Sequence, residues 1–529
     1  MSPGVTTSTG AAPAAAQPAA RSGLQRILRI SSSLVGTQAA TSVLGLLFWT
    51  IASRGFTAEQ FGVANAAVSA MGLLGALGTL GLGTLLIAQL PATSQALRRV
   101  TVRTALAVAA VAATLLAVVV PFVAIHLLGL GNLADIAGSP GHATLFAVGT
   151  GLAAVVLVLD QAVLVLGSGS LQLERNVVAS ATKVAALLGL AALGATDGMA
   201  IFAAWAVGTV VSLPLVAHRT RGGRALQASR RLVDLSSLQG LGRRALSHHA
   251  LNTTLQSPLM LLPVIVTATI SASANAPFGA ALQLTGFVFA LPYALSIGLF
   301  AAAEGDPGEV LRRMRVTVPL GLAVSLAANA ALLPLAPFVL RIFGADYATE
   351  GADVLRVLVL AGLPFVVKDH FVALRRVQGR TSEATLVLVV FTVLELAGAL
   401  IGASVGGVLG LSVGWVAVLF VEAVVLAVPL VRARRRFAAD EAALPPGDAP
   451  ASPAPARASS ETTTPEGNSA VIDPGTVQTD REQTDREDTD REDTDREETG
   501  TRQGPPSPRA PGGTPGGPGP AASRAGSGG

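Results

Sequence analysis

The sequence predicts an all-α polytopic membrane protein, with twelve transmembrane helices in two pseudo-symmetric six-helix lobes and a disordered C-terminal tail. Three observations predict this fold class. Of the 529 residues, 51% are apolar and only 13% are charged, about half the charged fraction of an ordinary globular protein. Long apolar runs recur along the chain. The basic residues concentrate in alternate connections between these runs, as they do in membrane proteins.

Each apolar run is long enough to cross a bilayer. A helix crosses about 30 Å of hydrocarbon with roughly 20 apolar residues. Twelve such runs joined by short connections are not expected in a soluble helical protein. The predicted spans are 31–53, 61–89, 104–128, 143–166, 177–195, 199–217, 248–270, 278–301, 316–342, 354–374, 384–404 and 408–431.

The arginine distribution predicts the orientation of these spans. With the spans as assigned, 24 arginines fall on one side, and only Arg54, Arg341 and Arg356 fall on the other. Cytoplasmic connections carry the excess of basic residues. Only Lys183 and Lys368 are lysines, and this bias towards arginine is typical of a high-GC bacterial genome. We therefore expect a multi-pass protein of the bacterial cytoplasmic membrane with both termini in the cytoplasm.

The membrane part contains a weak internal repeat with an offset of about 216 residues. A Phe-Gly pair opens span 2 at Phe61 and span 8 at Phe278, and a Pro-Phe-Val motif recurs at Pro121 and Pro337. Because six spans separate the copies, an axis along the membrane normal relates the two halves. Paired bundles with a site between them are the architecture of alternating-access transporters, and a duplicated scaffold that moves nothing is the alternative.

The domain boundaries follow from this repeat and from composition. The tail has a net charge of −9, against +13 for residues 1–436, and it repeats Thr-Asp-Arg-Glu four times. Its composition cannot bury a core, so we expect a disordered spacer or a docking segment. The predicted units are a disordered cytoplasmic leader (1–30), the N-lobe (31–217), a basic cytoplasmic connection (218–247), the C-lobe (248–436) and the acidic cytoplasmic tail (437–529).

The sequence carries no signature of enzyme chemistry. It has no cysteine, which excludes disulfides, thiol catalysis and cysteine-zinc sites. It has no HExxH motif and no phosphate loop ending in GK[ST]. No nucleic-acid-binding motif accompanies its basic residues. We therefore expect neither an enzyme nor a nucleic-acid-binding protein, and no cofactor.

Ionisable residues inside the spans are the candidate functional residues, because charge in a bilayer is costly and is usually kept for a role. Asp160 in span 4 and Lys183 in span 5 both lie roughly 9 Å from the cytoplasmic side at 1.5 Å per residue. We expect them to pair. Lys368 in span 10 and Glu395 in span 11 form a second predicted pair, although Glu395 is nearer the middle of the membrane.

Two further residues complete the candidate set. Glu422 lies in span 12 without an evident partner, and Arg54 lies on the sparsely charged outer side. Paired charges inside a membrane can hold helices together, bind a substrate head group or couple transport to an ion. The sequence leaves these roles open and does not identify a coupling ion or a metal site.

Several short motifs carry a resemblance to a known family. Residues 53–64 read SRGFTAEQFGVA and 343–348 read FGADYA, and Leu-Gly-Leu-Gly at 80–83 and Leu-Arg-Val-Leu at 355–358 accompany them. These motifs resemble the polysaccharide flippase family of the multidrug/oligosaccharidyl-lipid/polysaccharide exporter (MOP) superfamily. The resemblance covers roughly residues 30–436.

The resemblance implies a V-shaped pair of lobes that flips a lipid-linked oligosaccharide, such as an O-antigen precursor, to the outer leaflet. Membrane lipids and polysaccharide-synthesis proteins are the partners it implies. Three alternatives remain. A MATE-like cation-coupled drug exporter often has an acid in span 1, which residues 31–53 lack. A peptidoglycan-precursor flippase usually has two further spans. A non-transporting scaffold of a polysaccharide synthesis complex is the third.

Overall fold

The computed structural model describes residues 41–166, 169–220, 233–238, 243–302 and 307–442. Within these ranges every regular element is a helix. The predicted leader, most of the basic connection and the tail from residue 443 onward lie outside the described residues.

The N-lobe contains the first six spans. Predicted span 2 is divided after α2, because the backbone at Gly81 adopts a left-handed conformation with φ of 77°. Glycine adopts this conformation without the steric cost that other residues meet. The helices of the N-lobe are α1 (41–55), α2 (Ala58–Gly78), α3 (Leu82–Gln89), α4 (Gln95–Phe122), the short α5 (Ala134–Ala137), α6 (Pro140–Val165), α7 (Gly169–Ala192) and α8 (Gly198–Thr220).

The C-lobe contains the other six spans. Helices α12 and α13 together form span 10. The backbone of helix α14 is not helical at Gly406 and Gly407, and this break divides α14 into spans 11 and 12. It continues to Ala442, beyond the lobe boundary predicted at residue 436. The helices are α9 (Arg243–Thr269), α10 (Ala272–Ala302), α11 (Pro307–Leu340), α12 (Ala345–Val359), α13 (Gly362–Val377) and α14 (Thr381–Ala442).

The described residues confirm the predicted fold class. Eight of their helices are long and apolar enough to cross a membrane. The last of these eight runs over Thr381–Ala439 and counts as two spans, because it contains the break at Gly406 and Gly407. Helices α1, α7 and α10 supply the other three predicted spans. The protein is thus an all-α membrane protein of twelve spans in two six-helix lobes.

Consecutive spans run in opposite directions, which sorts their connections onto two faces. We call the basic face the one that carries the connections after the even-numbered spans, where the arginines concentrate. The opposite face carries the connections after the odd-numbered spans.

The repeated Phe-Gly pairs meet where the two lobes touch, a surface that we call the seam. Gly62 of α2 lies directly against the backbone of Ala272 in α10, and Gly279 of α10 lies directly against the side chain of Asn65. A Cβ atom at either glycine would overlap these neighbours. The internal repeat therefore supplies the two glycines that let α2 and α10 approach each other closely.

Hydrogen bonds cross the seam near the opposite face. The side-chain amide of Asn275 donates to the carbonyl oxygen of Gly62 at 2.9 Å, and Asn275 is fully buried. The side-chain amide of Asn132 donates to the carbonyl oxygen of Ala268 at 3.2 Å. The lobes are therefore joined at the opposite face in this structure.

Candidate functional site

A polar cavity of about 380 Å³ lies inside the N-lobe, among α1, α6, α7 and α8. We call it the N-lobe cavity. Both charged residues predicted from spans 4 and 5 line it. Its polar wall consists of Thr41, Asp160, Gln172, Asn176, Ser180, Lys183 and the indole ring of Trp205.

The predicted pair of Asp160 with Lys183 is wrong, because Arg175 binds Asp160 instead. Its Nε lies 2.9 Å from Oδ1 of Asp160, and its Nη2 lies 2.7 Å from Oδ2. This two-pronged contact is the geometry that a guanidinium group prefers with a carboxylate. Helix α7 begins at Gly169, earlier than predicted, so Arg175 is part of the helix and is only 2% exposed.

Lys183 has an aromatic partner rather than an acidic one. Its Nζ lies 3.6 Å from the ring centroid of Trp205, within the range of a cation–π contact. Within the described part of the chain, no carboxylate forms an ion pair with Lys183, and residues 31–53 contain no acid that could do so. Because Arg175 already neutralises Asp160, a protonated Lys183 gives the N-lobe cavity one unbalanced positive charge.

Lys368, Glu395 and Glu422 form a buried cluster in the C-lobe, which we call the charge triad. The Nζ of Lys368 donates to Oε1 of Glu395 at 2.8 Å and to Oε2 of Glu422 at 3.0 Å. Their side chains are at most 2% exposed. The predicted pair of Lys368 with Glu395 is confirmed. The expectation that Glu422 lacks a partner is wrong, because α14 folds back at its break and brings span 12 against α13.

Trp415 completes the charge triad and makes its two carboxylates unequal. The indole Nε1 of Trp415 donates to Oε2 of Glu395 at 2.7 Å. Glu395 therefore accepts hydrogen bonds at both oxygens. Glu422 accepts at Oε2 only, and its buried Oε1 has no hydrogen-bond partner among the described residues.

Aromatic rings connect each charged cluster to the seam. In the N-lobe, the ring centroids of Trp205 and Trp49 lie 6.3 Å apart, and those of Trp49 and Phe61 lie 5.0 Å apart. Phe61 in turn contacts Tyr347 of the C-lobe, with 5.6 Å between centroids. A continuous series of ring contacts thus leads from the N-lobe cavity into the other lobe.

The C-lobe has a corresponding series of ring contacts. The centroids of Trp415 and Phe365 lie 6.2 Å apart, and those of Phe365 and Phe289 lie 4.8 Å apart. Phe289 lines a second cavity, of about 180 Å³, which α2, α9 and α10 enclose at the seam. We call it the seam cavity. Its polar wall includes Asn65 and Gln283. The charge triad is therefore connected, through the rings of Trp415, Phe365 and Phe289, to the space between the lobes.

Known proteins match this chain by structure and not by sequence. No protein-family model matches the sequence, and no curated protein does. An inward-facing multidrug-resistance MATE family transporter of the MOP superfamily aligns with a TM-score of 0.54 at 17% identity, over 77% of this chain and 96% of its own. The lipid II flippase MurJ, in an inward closed conformation, aligns with a TM-score of 0.54 at 10% identity, over 78% and 90%. A mutant of the Vibrio cholerae MATE transporter VcmN aligns with a TM-score of 0.52 at 14% identity, over 79% and 99%.

The chain has the fold of the MOP superfamily.

In this MOP fold, Arg54 lies at the opposite face, outside both cavities. Its Nε donates to the carbonyl oxygen of Ile342 at 2.9 Å, and its Nη2 donates to that of Arg341 at 3.3 Å. These carbonyls follow the C-terminal end of α11, where oxygens lack helical partners and the helix dipole is negative. Arg54 thus ties α1 of the N-lobe to α11 of the C-lobe.

Sequence reasoning missed two residues of this MOP-fold protein that hold its charged clusters. Arg175 lies eight residues before Lys183, which is the spacing of one helix face, and this periodicity could have identified it. Trp415 is one of only three tryptophans in the chain, and a second, Trp205, contacts Lys183. A buried indole N–H usually finds an acceptor, so tryptophan content was a usable signal.

Proposed function

We propose that this protein is a membrane transporter that flips an anionic lipid-linked oligosaccharide, a precursor of cell-surface polysaccharide, across the bacterial cytoplasmic membrane by alternating access. The observation that carries the proposal is the N-lobe cavity, in which Lys183 has no carboxylate partner among the described residues. An unbalanced positive charge in the membrane interior favours an anionic ligand. The MOP fold, shared with a protein named as a lipid II flippase, supports the proposal.

The same cavity is poorly suited to a cationic drug. Its one carboxylate in the described residues, that of Asp160, is engaged at both oxygens by Arg175. A cationic ligand would have to displace this contact and would also meet the ammonium group of Lys183. A phosphate group would meet Lys183 together with the amide side chains of Gln172 and Asn176.

The proposal gives the candidate residues distinct roles. Lys183 binds the anionic head group, and Asp160 holds Arg175 in place beside it. The charge triad couples transport to an ion. Arg54 holds the lobes together at the opposite face, which the arginine distribution predicts to be the outer one.

A deletion strain tests the proposal. We expect the deletion to remove surface polysaccharide and to leave lipid-linked precursors on the inner leaflet. Wild-type protein should restore the surface polymer and Lys183→Gln should not. Arg219→Gln, which removes an exposed cation of the neighbouring α8, is the matched control and should restore it.

The other outcomes separate the alternatives. Unchanged surface polysaccharide together with new sensitivity to cationic drugs would identify an exporter. Loss of polysaccharide without accumulation of the lipid-linked precursor would identify a scaffold of the synthesis machinery. A specific block in cell-wall synthesis would identify a flippase for the peptidoglycan precursor.

A further inference from the structure

The charge triad contains an unequal number of positive and negative groups. Lys368 supplies one positive charge, and Glu395 and Glu422 supply two negative charges when both are ionised. All three side chains are at most 2% exposed. A net charge of −1 is unfavourable in the interior of a membrane protein, where charges are normally paired. One added proton makes the triad neutral.

The hydrogen bonds indicate which carboxylate takes that proton. Glu395 accepts from the ammonium of Lys368 at one oxygen and from the indole of Trp415 at the other. Two donors favour the ionised form, which is a pure acceptor. Glu422 has a donor at Oε2 only, and its buried Oε1 has none in the described residues. The proton therefore belongs on Glu422.

Few other charges act on Glu422. Within the described residues, the charged groups that act on it are Lys368 of α13 and Glu395 of span 11. Its own helix and the helices that pack against it carry further titratable groups elsewhere along their lengths. These include His248 and His249 on α9, Tyr293 on α10, Glu309, Arg312, Arg313 and Arg315 on α11, Asp346, Tyr347, Glu350, Asp353 and Arg356 on α12, Asp369, His370, Arg375 and Arg376 on α13, and Glu383, Arg432, Arg434, Arg435 and Arg436 on α14.

The geometry suits a proton better than a metal ion. A metal cation needs a shell of several oxygen ligands. Here the ammonium of Lys368 already occupies the space between the two carboxylates, at 2.8 and 3.0 Å. The triad lines neither the N-lobe cavity nor the seam cavity. A proton requires only the vacant lone pair of one carboxylate oxygen.

We infer that the charge triad is a proton-binding site, that Glu422 carries the proton, and that the proton is the ion coupled to transport. The inference rests on the proposed transport function. Uptake forms one O–H bond on the carboxylate of Glu422, and release returns the proton to water. No other covalent bond changes.

The contacts of Lys368 show how this proton can affect the lobes. When Glu422 becomes neutral, its attraction for Lys368 weakens and Glu395 alone holds the ammonium charge. Lys368 lies on α13 three residues after Phe365, and its Nζ is 5.9 Å from the centroid of that ring. Phe365 contacts Phe289, which lines the seam cavity. A change in the position of α13 is thus passed to the space between the lobes.

Infrared difference spectroscopy on the full-length protein in lipid nanodiscs tests proton binding without transport. We expect a carboxylic-acid C=O band to appear as the pH falls, and Glu422→Gln to remove it. Lys368→Met should keep the band and move its titration to higher pH, because the favourable ammonium charge is lost. Glu383→Gln, an exposed carboxylate on the same helix, is the control and should leave the band unchanged.

A band that survives Glu422→Gln would overturn the inference. If Glu422→Gln fails to fold, Glu395→Gln provides an equivalent test. The triad of Glu395→Gln is already neutral, with one ammonium and one carboxylate. The band should therefore again be lost. A retained band in Glu395→Gln would then overturn the inference.

Flipping in liposomes separates this inference from the proposed function. The probe is a fluorescent oligosaccharide on a polyprenyl diphosphate, and the variable is a pH gradient across the membrane. We expect the gradient to accelerate flipping by the wild-type protein and to have no effect on Glu422→Gln. Wild-type flipping that ignores the gradient would overturn the proton inference alone. Absence of wild-type flipping at every pH would overturn the proposed function, whatever the infrared result.

Discussion

The Nζ of Lys368 lies 3.0 Å from Oε2 of Glu422, although 54 residues separate them along the chain. Glu395 bonds the same ammonium group at 2.8 Å, so spans 10, 11 and 12 meet at one buried charge. Breaking a buried ion pair leaves an uncompensated charge in a medium of low dielectric constant. The stability of the C-lobe should therefore depend strongly on this contact.

Lys368→Met should lower the free energy of unfolding by about 3–5 kcal/mol, because two carboxylates then remain without their cation. Adding Glu422→Gln should recover part of this loss, since the two side chains are coupled. Denaturant titration in detergent measures both effects. Arg380→Gln breaks an exposed pair with Glu383 and should change stability little. Strictly additive effects of Lys368→Met and Glu422→Gln would contradict the triad.

In the N-lobe, Arg175→Gln should destabilise the protein more than Lys183→Gln does. The first variant leaves Asp160 without its cation, a loss on the order of 3 kcal/mol. The second removes a contact with Trp205 worth roughly 0.5–2 kcal/mol. A double-mutant cycle should find coupling between Asp160 and Arg175 and almost none between Asp160 and Lys183. The reverse order of destabilisation would contradict the observed pairing.

The sequence predicts the membrane spans well, because each depends mainly on local apolar composition and on where arginines fall. The pair of Lys368 with Glu395 was also predictable, since charges inside spans usually find partners. The partners of Asp160 and Glu422 were not predictable from the sequence. Arg175 depends on where α7 begins, and the site of Glu422 depends on how the two spans of α14 fold back on each other. Neither feature is fixed by the local pattern.

Gly62→Ala should weaken the seam, because the added Cβ meets the backbone of Ala272 and cannot rotate away. A cysteine placed at Ala276, which is fully buried on the same helix as Ala272, should then react faster with a bulky reagent in detergent in the variant than in the wild-type background. Gly189→Ala is the matched control, since its Cβ would meet open space on another helix. It should not change reactivity and can stabilise the helix by up to about 1 kcal/mol. Equal reactivity in both variants would show that the seam tolerates the methyl group.

Arg54→Gln should loosen the opposite face, because α1 loses its bonds to the carbonyl oxygens of Ile342 and Arg341. Spin labels on α1 and α11 should then report a longer or broader distance distribution. Arg356→Gln is the control, since Arg356 bonds Leu333 and Asp353 within its own lobe. A distribution that Arg54→Gln leaves unchanged would exclude a role for this residue in joining the lobes.

Cysteine labelling tests the predicted orientation, and the native chain contains no cysteine to interfere. Cysteines placed at Asp135, Asp197 or Ser273 lie on the opposite face and should react with an impermeant reagent added outside intact cells. A cysteine placed at Arg313, on the basic face, should be protected until the cells are opened. Protection of all three opposite-face positions would reverse or invalidate the topology.

Head-group selectivity in reconstituted flipping tests the central proposal most directly. Liposomes containing the purified protein receive one fluorescent oligosaccharide on either a polyprenyl diphosphate or an uncharged polyprenyl ether, and arrival in the other leaflet is timed. The proposal predicts that wild-type protein accelerates movement of the diphosphate-linked form only, and that Lys183→Gln abolishes this acceleration. Movement of both forms at equal rates, or no acceleration of either by wild-type protein, would contradict it.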